Sequence, residues 1–85
     1  MNVREAAEVV LCCALGTAMF VRLGQRWVDE LVDSLVQEPA AVYPLYLQGA
    51  QRLHPFYEGG DADAFALLAQ ARRLLLMHQQ PMTLP

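Results

Sequence analysis

Apolar positions recur at helical spacing in four runs along this chain, and glycine and proline separate them. The first run extends from Arg4 to Leu23. Ala7, Leu11, Ala14 and Ala18 share one face, Val10, Cys13 and Phe20 a second, and Leu15 and Met19 lie between. A helix that is apolar all round has to be covered all round. Gly16 and Thr17 are small enough to admit a close neighbour. The second run, Gln25 to Gln37, carries Trp27, Val28, Leu31, Val32, Leu35 and Val36 on one side and Asp29, Glu30, Asp33, Ser34 and Gln37 on the other. Its valines would suit a strand, but strict alternation fails and the helical period holds. Gly24 either ends one helix before it or bends a longer one.

The third run extends from about Pro39 to Leu53. Proline suits a first helical turn, where its missing N–H costs nothing. Pro44 either starts the regular helix or kinks one already begun. Tyr43, Tyr46, Leu47, Ala50 and Leu53 form the apolar stripe, and His54-Pro55 stops it. The fourth run opens on Asp61 as N-cap after Gly59-Gly60. Ala64, Phe65, Leu68, Ala71 and Leu75 face the core, while Leu67, Leu74, Leu76 and Met77 widen the stripe beyond one face. Asp61 and Asp63 sit at the positive end of the helix dipole, Arg72, Arg73 and His78 near the negative end. The pattern predicts an all-α fold of three to four antiparallel helices packed as helical hairpins. One domain holds a first helix pair over 1–38, a second over 39–80, and a tail at 81–85.

Composition sharpens this picture. Hydrophobic residues make up 55% of 85 residues and charged ones 18%, against about 25% charged in an ordinary domain. A domain of this size buries only a little over ~60% of the surface its unfolded chain exposes. There is more apolar side chain than one small core hides, so a partner protein is expected, in a hetero-complex or a homodimer. The net charge is −3, and all six basic residues are arginines. Six scattered arginines do not make the basic stripe that phosphate contacts need, so no nucleic-acid partner is expected. The uncharged run from Val9 to Val21 is thirteen residues, short of the ~20 that a membrane span requires. Glu5 and Glu8 follow Arg4 closely and no small-x-small cleavage site follows the run, which argues against a signal peptide. The expected location is cytoplasmic.

Candidate chemistry is sparse. Adjacent Cys12 and Cys13 point about 100° apart on a helix, which is wrong for one shared metal. They read as small apolar residues in a reducing compartment. His54 and His78 lack acidic or thiol partners at metal-ligand spacing. Asp61 and Asp63 are explained by capping. Ser34 has no histidine near it in the sequence, so it makes a poor nucleophile. Gly59-Gly60-Asp61 lacks the lysine and spacing of a phosphate loop. No enzyme activity, cofactor or metal is expected.

Tyr57-Glu58-Gly59-Gly60-Asp61 resembles the turn of a tetratricopeptide repeat, and Ala64, Leu68 and Ala71 resemble the small–large–small spacing of its second helix. Leu47-Gln48-Gly49-Ala50 stands about four residues further from the turn than in the repeat, and Pro44 and Pro55 depart from it. In size, composition and hairpin pattern the chain resembles the small helical chaperones of bacterial type III secretion. That resemblance implies a cytoplasmic chaperone whose groove takes an amphipathic helix of a secreted client.

The expected contact surface joins one face of the first helix (Val10, Cys13, Phe20) to the aromatic group Tyr43, Tyr46 and Tyr57. On that reading Phe20→Asp abolishes partner binding. Two further readings remain. An acidic face of Asp29, Glu30 and Asp33 would suit a small phage-type inhibitor of a host machine. A structural homodimer would pair the first helix with its copy.

Overall fold

Asn2 opens the first helix, α1 (Val3–Leu15), with a reciprocal cap. Its side-chain oxygen accepts the Glu5 N–H at 2.8 Å, and the Glu5 carboxylate accepts the Asn2 N–H at 3.5 Å. A side-chain cap of this kind stabilises a helix by about 1 kcal/mol. The computed structural model describes residues 1–54 and 60–79.

Gly16 ends α1 with φ +90° and ψ 149°, while its N–H still donates to the Cys12 carbonyl at 2.8 Å. This backbone region is essentially open to glycine alone. The chain leaves at 117° to form the short α2 (Thr17–Leu23). Gly24, at φ +82° and ψ 158°, repeats the device and starts α3 (Gln25–Gln37). The run expected as one helix from Arg4 to Leu23 is therefore two, and Gly24 separates α2 from α3 instead of bending one helix. A glycine inside an apolar run costs a helix only about 1 kcal/mol, so the pattern alone does not locate the break.

After Glu38, α4 spans Pro39–Leu53 and runs on through Pro44. Asp61 donates its N–H to the Leu53 carbonyl and accepts the Ala64 N–H on its side chain, both at 3.0 Å. This cap leads into α5 (Ala62–Gln79). The described residues form five helices and no strand, so the fold is all-α as expected, with more helices than the three to four expected. The turn expected at Gly59-Gly60 and the tail at 81–85 fall wholly or partly outside the described residues.

Helix α1 is the centre of the packing. It lies mainly against α5 and α4 and touches α3 and α2. Ala6, Ala7, Val10, Leu11 and Ala14 of α1 are buried with Val28, Val32 and Leu35 of α3, Val42 of α4, and Leu68, Ala71 and Leu75 of α5. Small residues bring the axes close. A Cβ added at Gly49 would lie 3.0 Å from the Cys13 Cβ and 3.1 Å from Leu68 Cδ2.

Helix ends are satisfied across the core. Gln48 Nε2 donates to the Ala14 carbonyl at 3.0 Å, and the Arg52 guanidinium donates to the carbonyls of Cys13 at 3.2 Å and Ala14 at 3.5 Å. The last turn of α1 has no basic residue of its own. Arg52 of α4 supplies the positive charge favoured at that end of the dipole. In the same way Gln79 of α5 donates to the Leu35 and Val36 carbonyls at 2.6 and 2.8 Å and holds the end of α3.

Candidate protein-docking surface

Helix α3 borders the core on one side only. Its apolar positions form two neighbouring columns, Val28–Val32–Leu35 and Trp27–Leu31. The first column is buried against the bundle. The second is turned about 100° away, one residue back along the helix. There Trp27 is 60% exposed and Leu31, one turn later, 37%. Residues four apart on a helix are surface neighbours, so the two side chains make one apolar stripe. Exposed Arg26, Glu30, Ser34 and Gly24 border it.

An exposed tryptophan is costly to leave in water and is the residue most enriched at energetic centres of protein interfaces. Other large apolar side chains also reach the surface: Met19 and Val21 on α2, Tyr43 and Leu47 on α4, Leu67 and Met77 on α5. Tyr43 and Leu47 again lie one turn apart.

The expected contact residues are dispersed. Val10 is fully buried at 0% exposure, because α3, α4 and α5 cover the face of α1 that it shares. It belongs to the core and is not part of an accessible surface. Cys13 is half-buried beside Gly49, and burial pushes its thiol up from the ordinary value, with Cys12 adding to the rise and Arg52 opposing it. Phe20 is partly buried against the core and lines an open pocket of about 190 Å³ with Glu8, Val21, Gly24, Gln25 and Val28. Phe20→Asp therefore perturbs packing, and is not a clean test of binding. Tyr46 is partly buried, and its ring lies 4.6 Å from the Arg72 guanidinium carbon. Tyr43 is 57% exposed. Tyr57 lies outside the described residues.

Of the acidic trio, Glu30 and Asp33 are exposed and Asp29 is engaged by neighbouring side chains. Asp29 accepts hydrogen bonds from Arg4 and, at 2.8 Å, from Gln25 Nε2. The Arg4 guanidinium holds the Asp29 carboxyl below its usual range, with Gln25 assisting. Arg4 also pairs with Glu8 at 2.9 Å. Asp33 instead lines an open pocket of about 340 Å³ with Val3, Arg4, Val32, Val36, Gln37 and His78.

Cys12, Cys13, Gly16, Thr17, Arg52, Leu53, Asp61 and Ala64 line a further pocket of about 280 Å³. His54 meets the Phe65 ring edge-on, with centroids 5.6 Å apart. Among the described residues no group of three or more His, Cys, Asp or Glu side chains is placed to hold a metal ion. No single helix is long and apolar enough to cross a membrane; α1 and α2 together have the length and composition, but they are bent by 117°.

The sequence pattern puts Trp27 and Leu31 on the same apolar side of their helix as Val28, Val32 and Leu35. The available signal was the width of that face, since two apolar columns exceed what one neighbouring helix covers. No protein-family model, curated protein or solved structure matches the chain.

Proposed function

We propose that this chain is a small protein-binding module, adaptor- or chaperone-like and cytoplasmic, that docks an amphipathic helix of a partner on the Trp27–Leu31 stripe. The observation that carries this reading is the exposure of Trp27, the chain's single tryptophan, beside Leu31. A rigid helical face with an aromatic anchor suits helix-in-groove recognition, in which anchors repeat every three or four residues. The resemblance to type III secretion chaperones, with α4 and α5 as the repeat-like hairpin, favours a client helix as occupant.

The test is co-purification of the tagged full-length chain from cells that express it. The expected result is a stoichiometric protein partner retained by the wild type and by Gln51→Asp, but lost by Trp27→Asp. Retention by a folded Trp27→Asp variant overturns the reading.

A further inference from the structure

We infer that residues 81–85 fold back from the end of α5 and seat Met82 and Leu84 in the pocket between α1, α3 and α5. This contact is separate from the Trp27–Leu31 stripe. The pocket holds about 340 Å³; Val3, Val32 and Val36 are its apolar members, and His78, in the last turn of α5, is among its lining residues. Val3 and Val36 are only partly buried, so apolar surface stays open beside the point where the chain leaves α5. Gln79 fixes that point. Its Nε2 donates to the Leu35 and Val36 carbonyls at 2.6 and 2.8 Å, which ties the end of α5 to the end of α3 that borders the pocket. The Gln79 Oε1 is buried without a hydrogen-bond partner. A buried acceptor of this kind calls for a donor.

The six residues after Gln79 are Gln80-Pro81-Met82-Thr83-Leu84-Pro85. Pro81 stops α5 from running on, and Met82 and Leu84 alternate with Thr83. In an extended segment this pattern puts both apolar side chains on one side and Thr83 on the other. Met82, Thr83 and Leu84 each bring an N–H, which the prolines lack, and one of these supplies the donor for Gln79 Oε1. Reach selects the pocket. Met82 stands three residues beyond Gln79, within about 10 Å of it. The pocket beside Asp61 and Ala64 lies at the opposite end of α5, about 22 Å away along the helix. The pocket at Phe20 includes no residue of α5. Seated between the three helices, the segment joins α1, α3 and α5 and takes Val3 and Val36 out of water.

The test is photo-crosslinking of the purified full chain with a benzophenone amino acid placed at Met82 or, separately, at Leu84, followed by peptide mapping. The expected result from either position is an adduct of single-chain mass that joins it to Val3 or Arg4 of α1, or to α3 between Val32 and Gln37. Met82→Asp should cut the yield from position 84 severalfold. A label-free measurement accompanies it. Met82→Asp combined with Leu84→Asp, with unchanged helix content, should speed amide exchange at Val36 and Gln37 severalfold, because the strap over the end of α3 is lost. Adducts scattered over all the helices overturn the inference. So do adducts found only at twice the chain mass, which would make a second copy the occupant, and so does amide exchange that the double substitution leaves unchanged.

Discussion

The Arg52 guanidinium occupies the space where a side chain at Gly16 would begin. Both of its terminal nitrogens lie 2.9 Å from the position of a Cβ built on that glycine. The break between α1 and α2, the cap on α1 and the end of α4 are thus one arrangement. Gly16 needs its positive φ to turn the chain, and lacks a Cβ so that Arg52 can reach the Cys13 and Ala14 carbonyls.

Gly16→Ala is expected to destabilise the fold by about 1–2 kcal/mol from backbone conformation alone. Displacement of Arg52 adds to this. Gly24→Ala is the control, because Gly24 has a similar φ but nothing within 4 Å of the added carbon. Urea titration should show Gly16→Ala as the costlier change. Equal costs would mean that Arg52 contributes nothing at this junction.

At Gly49, α4 packs tightly against both α1 and α5. Its missing Cβ leaves room for Cys13 and Leu68. Gly49→Leu should cost about 1–3 kcal/mol by overpacking, despite the better helix propensity of leucine. An unchanged denaturation midpoint would show that the three helices do not meet there.

Acid should weaken the contact between α1 and α3. The Asp29 carboxyl is held below its ordinary range by Arg4. A carboxyl depressed in the folded state stabilises the fold above the unfolded aspartate value of about 3.9, and that stabilisation is lost as pH falls through the folded value. The pair is exposed, so the effect is small and screened by salt. In low salt, Arg4→Ala should lose less stability than the wild type between pH 7 and pH 3. Parallel pH profiles would contradict the role of this ion pair.

Much of the helix layout is legible in the sequence. The bounds of α3 and α4 coincide with the expected runs because Gly24, Glu38-Pro39 and His54 mark both ends of each. The division of the first run is not legible, because it depends on Arg52 arriving from the far end of α4. The docking face is legible only as a surplus. Periodicity places Trp27 and Val28 on one broad apolar face, but which column meets a neighbour depends on where α3 lies against α1. The same dependence removes Val10 from any surface. All four other helices lie against its helix, and Val10 is among the fully buried residues.

The most direct measurement is site-specific photo-crosslinking in cells that express the full chain. A photoreactive amino acid is placed singly at Trp27, Leu31, Gln51 and Gln70, all exposed positions. A discrete protein adduct is expected from positions 27 and 31 and none from 51 and 70, with the adduct mass distinguishing a second copy from another protein. Labelling spread equally over all four positions, or absent from 27 and 31, would contradict docking on the stripe.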